Sequence, residues 1–335
     1  LPMILVNGGE GIGTGWSTYV PCYNPIDIID NLKRKIHGEE MLEMRPWYRG
    51  FTGKIEKLSE HSFLSRGKYR VEGQNKVIIS ELPVRSWTDK YKEFLEGMVI
   101  ESGKESKKTQ YLRNYSSYCS DTKVHFELVF HKDDLYNLTC NLEQNDDGQN
   151  KFEKTFKLTS KLNTSNMVLY DRNGYLKKYN SPLEIIDDYF EVRMEFYDKR
   201  KKYQLDSLEK ELVMVNAKVK FIEEFISGDI IISNRKKSDI LQQLETREYP
   251  KVEDSYDYLI KMPIYNLTTE RIEELRKDRD IKMKDFKNLK SKTLENMYLE
   301  ELDDFMKSYR RFLQQKEFES GLAAEPKKKQ IKKKK

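Results

Sequence analysis

The spacing of apolar residues changes character near Ser181. Up to residue 180, short runs of β-branched and aromatic residues alternate with turn residues, which is typical of strands packed with short helices. From residue 181 onward, apolar residues recur at intervals of three and four, which is typical of helices with one buried face. The pattern predicts an α+β protein, in which a mixed α/β domain precedes a helical region.

The first 180 residues contain segments of both kinds. Apolar runs bounded by turn residues predict strands at 2–6, 76–81, 124–130, 166–170 and 175–179. Helical spacing predicts helices at 25–37 and 87–98, the second with Thr88 as its N-cap. Residues 171–174 have the composition of a hairpin turn, and the Asn- and Asp-rich stretch 141–151 has that of a flexible loop.

The helical region opens with a clear N-terminal signal. Ser181 suits the N-cap, Pro182 suits the first helical position, and Glu184 completes a capping box. We expect a helix from there to Ile226, with Gly228 ending it. Seven apolar residues in this helix alternate between steps of three and four, the spacing of a coiled-coil interface: Leu205, Leu208, Leu212, Val215, Val219, Ile222 and Ile226.

A partner helix follows in the same chain. Thr268 is its predicted cap, and it runs toward Phe318 with an apolar side formed by Ile272, Leu275, Phe286, Leu289, Leu302, Phe305, Tyr309 and Phe312. The intervening insert has apolar residues of its own: Ile230, Ile231, Ile232, Leu241, Leu244, Tyr258, Leu259, Met262 and Ile264. The economical arrangement is a long antiparallel coiled coil capped by a small helical knob. Exposed apolar residues on the knob would favour self-association, and the alternative is a monomeric hairpin whose knob is only its turn.

These elements set the predicted boundaries. They are a mixed domain at 1–180, coiled-coil helices at 181–227 and 268–320, the knob at 228–267, and a disordered Lys-rich tail at 321–335. The last ten residues hold seven lysines and no acid, and without them the net charge of +5 becomes −2. Affinity for nucleic acid must then come from local patches. The tail itself fits a nuclear-import signal, a nonspecific nucleic-acid tether or a solubilising charge run.

Composition narrows the class of protein. Although 35% of the residues are charged, 15 Phe, 21 Tyr and 3 Trp are too many aromatics for a disordered chain. No run of about 18 apolar residues occurs, so a membrane partner is not expected. The cysteines Cys22, Cys119 and Cys140 share no tight spacing, which argues against a disulfide framework or a zinc site and for a reducing compartment. The chain opens inside an apolar run, so we expect it to be a piece of a longer protein.

Residue chemistry alone predicts no catalytic group and no metal site. Acidic pairs occur at Asp133-Asp134, Asp146-Asp147, Asp187-Asp188 and Asp303-Asp304, but none has a ligand partner at a recognisable spacing. The histidines have no convincing nucleophile partner either: His37, His61, His125 and His131. By this criterion the chain is not an enzyme.

The glycine-rich segment 7–17 has the chemistry of a DNA-bending element. It lacks the lysine of a phosphate-binding loop, and its glycines do not match the dinucleotide-binding spacing. It instead leaves Ile12 as an isolated apolar side chain on backbone that can approach a ligand closely, as in proteins that insert apolar wedges between base steps. The alternative is a glycine-rich turn with Ile12 in the core.

Two further segments have features of a DNA surface. In ELPVRSWT at 81–88, Arg85 and Trp87 would share one face if the stretch stays extended, so that one ligand could meet both. The alternative is that Trp87 packs at a domain edge. The stretch 157–166 combines two lysines with Ser, Thr and Asn and no acid, a composition that suits phosphate oxygens, and its alternative is a polar surface strand.

Together these stretches resemble the eukaryotic type II DNA topoisomerase family. The matching segments follow the family's order along most of the chain: LPMILVNGGEGIGTGWS at 1–17, PWYRGFTG at 46–53, ELPVRSWT at 81–88, NMVLYD at 166–171 and YLIKMPIYNLT at 258–268. The first segment is long and specific. The resemblance is to the nuclear enzymes of eukaryotes more than to the bacterial gyrase type.

The resemblance implies the second half of the DNA breakage–reunion core, with a tower domain and a coiled coil leading to a C-terminal dimer gate. Ile12 then intercalates in and bends the gate duplex, the DNA that is cut, and Trp87 contacts DNA. Tower contacts fall on Lys157, Leu158, Thr159, Ser160, Lys161, Leu162, Asn163, Thr164, Ser165 and Asn166, of which Lys157, Leu158 and Leu162 clearly keep the family pattern. Two subunits would meet at the knob, where the implied gate residues are Tyr258, Leu259, Met262 and Ile264.

The resemblance also implies a homodimeric nuclear enzyme that uses ATP and Mg²⁺ to pass one double-stranded DNA through a break in another. The family's nucleophilic tyrosine, metal-binding domain and ATPase have no counterpart in this sequence, so the chain alone is expected to hold no cofactor and to be inactive. The stretch 141–151 resembles an insertion, and the region 245–257 is short for the family. The alternative is a non-enzymatic coiled-coil scaffold that tethers DNA through its basic tail.

Overall fold

The computed structural model describes residues 1–99, 111–139, 148–232, 234–252, 254–263 and 268–319. The chain divides into two compact units, Leu1–Glu191 and Val192–Lys335. Antiparallel sheets with short helices form the first unit, and long helices dominate the second. The predicted α+β class is therefore confirmed, and the finer domain limits stay a prediction.

The first unit is built from short elements. Its helices are α1 (Met3–Asn7), α2 (Pro25–Ile36), α3 (Thr88–Glu96), α4 (Lys132–Thr139) and α5 (Lys151–Thr155). Its strands are β1 (Gly9–Gly13), β2 (Trp16–Val20), β3 (Lys54–Ser59), β4 (Ser62–Arg66), β5 (Lys68–Glu72), β6 (Lys76–Glu81), β7 (Leu112–Ser117), β8 (Phe126–Phe130), β9 (Thr159–Asn163), β10 (Met167–Tyr170) and β11 (Leu176–Tyr179). They pair antiparallel as the hairpins β1-β2 and β10-β11 and as sheets ordered β3-β4-β9 and β5-β6-β8-β7.

The four-stranded sheet carries the main core of the first unit. Alternate residues of β6 and β8 are buried together with Tyr91 and Leu95 of α3 and with Phe152 and Phe156 at α5. The rings of Phe152 and Phe156 stack with their centroids 4.7 Å apart. Burial of an apolar side chain of this size contributes about 1.5–3 kcal/mol. This core fixes the end of β6 and the start of β9, from which the candidate site is built.

Most elements predicted for the first unit are confirmed. The predicted strands at 76–81, 124–130, 166–170 and 175–179 correspond to β6, β8, β10 and β11, and the predicted helices correspond to α2 and α3. The hairpin turn is also confirmed, because the carboxylate of Asp171 accepts the N–H groups of Asn173 at 2.8 Å and Tyr175 at 2.9 Å. Local turn chemistry was sufficient to predict it.

Two predictions for the first unit are wrong. Residues 2–6 form most of helix α1 instead of a strand, and the N–H of Leu5 donates to the C=O of Pro2 at 3.0 Å. A short apolar run does not distinguish a strand from a buried helical turn, and only the tertiary structure decides. Thr88 is not the cap of α3, because Trp87 occupies that position without a side-chain cap and Thr88 is the first helical residue.

The helices of the second unit follow one another with little else between them. They are α6 (Pro182–Ile226), which begins in the first unit, α7 (Lys237–Thr246), α8 (Asp257–Ile260), α9 (Thr269–Ser291) and α10 (Leu294–Glu319). The 45 residues of α6 span about 68 Å. Its predicted start is confirmed, since the N–H of Glu184 donates to the Ser181 hydroxyl at 3.3 Å and the Glu184 carboxylate accepts the N–H of Asn180 at 3.0 Å. No helix in the described ranges is both long and apolar enough to cross a membrane.

Helices α6 and α9 pair as the predicted antiparallel coiled coil. Val215, Val219 and Ile222 of α6 form one buried cluster with Ile272 and Leu275 of α9. Ion pairs flank this cluster, Arg276 with Glu223 at 2.6 Å and Lys282 with Glu211. The prediction fails at Ile226, which is exposed because it is the last residue of α6.

The second coiled-coil helix is interrupted, whereas the sequence predicts one continuous helix. Lys292 has extended backbone with φ −68° and ψ 135°, and the Thr293 hydroxyl accepts the N–H of Asn296 at 3.1 Å to start α10. The ammonium of Lys201 on α6 donates to the C=O groups of Lys290, at 3.2 Å, and of Lys292. A cation at the last carbonyl groups stabilises the end of a helix. The break therefore has a cap on one side and a cation on the other.

The break changes which side chains of α10 are buried. Leu302 is buried as predicted, but Phe305 and Phe312 are exposed. Their rings stack on Tyr309, with centroids 6.0 and 6.2 Å from it. The physical reason is that a helix restarted at Thr293 does not keep the phase of the apolar stripe on α9. The buried face of α10 consists instead of Leu302 with Met297, Tyr298 and Met306.

The knob has a core of its own, as predicted. Ile240 and Leu244 of α7 and Leu259 of α8 pack with Phe221 of α6 in one buried cluster. Ile231, predicted among its apolar residues, is exposed. The predicted gate residue Ile264, residues 141–147 of the predicted loop and the predicted tail at 321–335 lie outside the described residues.

Candidate DNA interface

The glycine-rich segment folds into a hairpin that holds Ile12 at the surface. Strands β1 and β2 pair so that Ile12 lies opposite Ser17 and Gly13 lies opposite Trp16, and Gly15 makes the turn with φ 78°. The Ile12 side chain is 88% exposed, which rejects the alternative that it belongs to the core. An isolated apolar side chain on a narrow glycine-rich ribbon has the shape of a wedge that can enter a base step. We call residues 9–20 the glycine hairpin.

A tight turn follows strand β6 and carries the second exposed apolar side chain. The N–H of Ser86 donates to the C=O of Pro83 at 3.0 Å, and Arg85 has φ 71°, so the stretch is not extended there. Arg85 and Trp87 therefore do not share a face by strand alternation. Trp87 is 71% exposed, which rejects the packing alternative and leaves its ring accessible to a ligand. We call residues 83–87 the arginine turn.

Arg85 connects the arginine turn to the glycine hairpin. Its guanidinium forms an ion pair with Glu10 of β1 and lies over the ring of Tyr19 of β2, with 4.7 Å between Cζ and the ring centroid. The hydroxyl of Tyr19 is 3.0 Å from that of Tyr48. Burial raises the pKa of Tyr19, so its phenol is protonated at neutral pH. The two exposed apolar side chains thus belong to one connected part of the first unit.

The predicted DNA-binding stretch 157–166 does not form one exposed surface. Leu158, Leu162 and Thr164 are buried, because successive residues of β9 alternate between the two faces of the sheet. Their side chains pack inside the first unit and are not accessible to DNA. Leu158 and Leu162 keep the family pattern for a structural reason, since they fix the strand whose other face is exposed.

The opposite face of this stretch has the side chains that suit a phosphate backbone. The ammonium of Lys157, whose φ is 50°, lies 4.4 Å from the centroid of the Phe94 ring. Thr159 is partly buried, and its hydroxyl accepts from the amide of Gln149 at 2.6 Å. The exposed residues are Lys157, Lys161, Asn163 and Ser165. Two ammonium groups, an amide and a hydroxyl are donors that bind phosphate oxygens.

Ser160 and Asn166 join this stretch to the other two segments. The Ser160 hydroxyl donates to the C=O of Val84 in the arginine turn at 2.7 Å. The side-chain amide of Asn166 donates to the C=O and hydroxyl of Ser17 at 3.1 and 2.8 Å, and its C=O accepts the N–H of Tyr19 at 2.9 Å. The structure therefore brings all three predicted segments together, and their contact with DNA stays a prediction.

A buried ion-pair network supports the start of β9. Arg66 on β4 donates to the carboxylates of Glu153 on α5 and of Glu56 on β3, the latter at 3.0 Å, and to the C=O of Gly148. The side chains of Arg66 and Glu153 are 11% and 8% exposed. Burial by itself would lower the pKa of Arg66, but its hydrogen bonds with Glu153 and Glu56 raise it. Glu153 also completes a capping box with Asn150 at the start of α5.

The titratable groups near this surface have the chemistry of binding. Wherever the pKa of a described tyrosine departs from its ordinary value it is raised, chiefly by burial, to about 12 for Tyr115. A nucleophilic tyrosine would need a base or a lowered pKa. Within the described ranges, no group of three or more His, Cys, Asp or Glu side chains could hold a metal ion.

The predicted gate residues lie in the knob with unequal exposure. Leu259 is buried in the knob core, so its side chain stabilises the knob itself. Tyr258 is partly buried and donates its hydroxyl to the C=O of Pro250 at 2.7 Å. Met262 is partly buried against both the knob core and the coiled-coil core. Dimerisation through the knob stays a prediction.

Sequence reasoning missed the contacts that hold the arginine turn in place. The Ser65 hydroxyl accepts the N–H of Val84 at 3.0 Å, and Ser65 is the register partner of Ser160, which donates to the C=O of the same residue. Neither a left-handed arginine nor a cross-strand serine pair leaves a signal in one sequence. The acidic Glu10 inside a glycine-rich segment was the one visible clue to the ion pair with Arg85.

Comparisons with known proteins agree with the motifs. Residues 1–303 match the DNA gyrase/topoisomerase IV family, in its A-type chain. DNA topoisomerase 2 of Arabidopsis thaliana is 34% identical over 349 residues, which cover 92% of this chain and 23% of that protein. DNA topoisomerase 2 of Candida albicans is 33% identical over 391 residues, covering 99% of this chain and 26% of that protein. The chain thus spans about a quarter of the length of these relatives.

A solved structure shares the fold. The structure of the Plasmodium falciparum topoisomerase II DNA-binding, cleavage and re-ligation domain superposes with a TM-score of 0.80 and 32% sequence identity. The match covers 94% of this chain and 45% of that one. The chain therefore belongs to the DNA gyrase/topoisomerase IV family, and the resemblance of its motifs to eukaryotic type II DNA topoisomerases is confirmed.

Proposed function

We propose that this chain binds and bends the gate duplex within a type II DNA topoisomerase. The observation that carries the proposal is the exposure of Ile12 on the glycine hairpin. Trp87 and the exposed face of 157–166 belong to the same connected surface, which supports one duplex meeting all three. The Plasmodium falciparum relative, whose title names DNA binding, shares this fold.

In the proposed mechanism, Ile12 enters a base step and unstacks it. Bending a site of 20–30 bp costs about 1–6 kcal/mol, and burying an isoleucine side chain returns about 1.5–3 kcal/mol. The wedge therefore offsets a large part of the bending energy but little of the total affinity. Lys157 and Lys161 supply sequence-independent attraction to phosphates, and the Trp87 ring offers a flat apolar contact and an N–H donor.

The second unit is proposed to form the dimer gate of the same enzyme. Helices α6 and α9 form a long support for the knob, and Tyr258, Met262 and Ile264 are the gate residues that remain candidates for contact with a second copy. Leu259 would act indirectly by maintaining the knob. Sedimentation of the chain at increasing concentration tests this proposal, and a species that stays monomeric at every concentration would contradict it.

The proposed whole enzyme is a nuclear homodimer that uses ATP and Mg²⁺ to pass one DNA duplex through a transient double-strand break in another. The described residues do not fit a Mg²⁺ site, so both cofactors are assigned to other parts of the enzyme. The test is detergent quenching of the longer enzyme with supercoiled plasmid and Mg²⁺. A protein–DNA adduct that is lost on Tyr→Phe substitution of the expected nucleophile supports the proposal, and absence of an adduct from a folded, DNA-binding enzyme contradicts it.

The bending role is tested with Ile12→Ala and a duplex of about 30 bp labelled at both ends. We expect the variant to bind with nearly the affinity of the original chain and to bend DNA less, as read by energy transfer between the labels. Ile281→Ala is the matched control, because it removes the same atoms from another exposed isoleucine, 60% exposed on α9. Equal bending by Ile12→Ala and the original chain would refute the wedge.

The scaffold alternative makes an opposite prediction for the basic tail. If the chain only tethers DNA through its lysines, removal of 326–335 abolishes binding. If the surface of the first unit binds the gate duplex, binding and bending survive the deletion, with a weaker salt dependence.

A further inference from the structure

The arginine turn imposes an unusual backbone conformation on a side chain that the proposed wedge does not use. The hydrogen bond from Ser86 to Pro83 makes Arg85 the third residue of a four-residue turn, and its φ of 71° is the value that favours glycine there. Hydroxyls of Ser65 and Ser160 fix both backbone groups of the preceding Val84. The fold thus places a long cationic side chain where glycine would be less strained.

The guanidinium of Arg85 lies on the same face of the glycine hairpin as Ile12. Glu10 and Tyr19, the two residues that it contacts, are register partners in β1 and β2. Ile12 and Ser17 are the next pair on that face, because side chains alternate along a strand. The cation is therefore held within two residues of the proposed wedge.

The guanidinium keeps binding capacity in this position. An arginine has five N–H donors in a planar fork, and the ion pair with Glu10 uses one of its nitrogens. The Arg85 side chain is 46% exposed. The ring of Tyr19 fixes the plane of the fork, and the Tyr48 hydroxyl holds Tyr19. A preorganised, exposed guanidinium fits a phosphate better than a flexible lysine does.

We propose that Arg85 binds a phosphate of the gate duplex beside the base step that Ile12 enters, and that Glu10 holds the guanidinium in place until the phosphate replaces it. This inference rests on the proposed DNA-bending function. The exchange keeps the guanidinium paired in both states, so its orientation is not lost in the free protein. Glu10 also faces the approaching phosphate with a negative charge, which opposes binding until Arg85 is transferred.

The first test is the salt dependence of DNA binding by Arg85→Gly. Glycine suits φ 71°, so this variant is expected to fold with unchanged or higher thermal stability. Each phosphate contact contributes about 0.9 to the slope of log K against log salt. We expect the slope of Arg85→Gly to be shallower by about 0.9, so that its affinity deficit shrinks by about threefold between 50 and 200 mM salt.

The matched control is Arg276→Ala, which removes another half-exposed arginine that pairs with a single glutamate, Glu223 on α6. It carries the same loss of charge in the second unit, so its slope is expected to equal that of the original chain. If Arg85→Gly also leaves the slope unchanged, Arg85 is only a brace between the hairpin and the turn, and the proposal is wrong.

The second test is Glu10→Gln, measured on the same duplex. Removing the competing carboxylate is expected to raise DNA affinity several-fold at low salt while the slope is retained. A brace would behave differently, because losing the ion pair would loosen the hairpin and lower both affinity and bending. Tighter binding supports the exchange between Glu10 and phosphate, and weaker binding overturns it.

Failure of this inference is distinguishable from failure of the proposed function. If the original chain without residues 326–335 does not bend DNA, the DNA-bending function itself fails. If that chain bends DNA and Ile12→Ala reduces the bend, but Arg85→Gly leaves the salt slope unchanged, then only the phosphate contact of Arg85 fails.

Discussion

Replacing Arg66 by methionine tests whether the buried network under β9 stabilises the first unit. The variant removes the guanidinium and leaves the Glu153 carboxylate, only 8% exposed, without its cationic partner. Removing one member of a buried ion pair costs about 3–5 kcal/mol. The Glu56 carboxylate is 47% exposed, so its loss of a partner adds little. We expect Arg66→Met to lower the free energy of unfolding of the first unit by about 3–5 kcal/mol.

A double variant separates the charge from the packing. Glu153→Gln keeps an oxygen that can accept the N–H of Asn150, now at 3.1 Å from Glu153 Oε2, so the start of α5 retains its cap. A methionine beside a neutral glutamine leaves no buried charge. We therefore expect Arg66→Met with Glu153→Gln to recover most of the stability lost in Arg66→Met alone, since a neutral replacement of a buried ion pair is often harmless.

The sequence provides a probe for this unit. The tryptophans Trp16, Trp47 and Trp87 all lie in Leu1–Glu191, so tryptophan fluorescence during urea unfolding reports the first unit and not the helices of the second. The midpoint and slope give the free energy of unfolding for each variant. A loss below about 1 kcal/mol in Arg66→Met, or no recovery in the double variant, would refute the reasoning from buried charge.

Two further predictions concern other parts of the structure. Ile222→Ala removes a fully buried side chain between α6 and α9 and is expected to cost about 2–5 kcal/mol, seen as an earlier loss of helical circular dichroism on heating, whereas Val213→Ala at an exposed position of the same helix leaves the midpoint unchanged. Hydrogen bonds, first from Lys177 and then from Tyr179, lower the pKa of Asp188, so this carboxylate adds stability above the ordinary Asp pKa of about 3.9 and loses it as the pH falls through the lowered value. The difference in melting temperature between the original chain and Asp188→Asn is therefore expected at pH 7 and should vanish at pH 2, and an equal difference at both values would contradict the assignment.

Local signals in the sequence were sufficient where one short segment determines the structure. The start of α6 follows from Ser181 and Glu184, whose reciprocal capping is a property of four consecutive residues. The exposure of Ile12 follows less directly, because a glycine-rich hairpin can equally bury its one apolar side chain. The structure decides this point by pairing β1 with β2 alone, so that among the described residues neither a third strand nor a helix covers the Ile12 side chain.

Features that depend on distant residues could not be predicted. Leu158, Leu162 and Thr164 look like members of a polar surface stretch until β9 is placed beside β4, which fixes the face they occupy. The left-handed backbone of Arg85 is maintained by serines on two other strands. The end of α9 coincides with carbonyl contacts from Lys201, about 90 residues earlier in the chain.

The break between α9 and α10 has a mechanical consequence. A two-helix rod resists bending because one helix must lengthen while the other shortens, and both are held by continuous hydrogen-bond ladders. At Lys292 and Thr293 one ladder is interrupted while α6 continues past it. Force applied to the knob would therefore produce its largest deflection at the level of Lys201, where a single ammonium bridges the interrupted side. The rod is stiff along its length and compliant at one defined level.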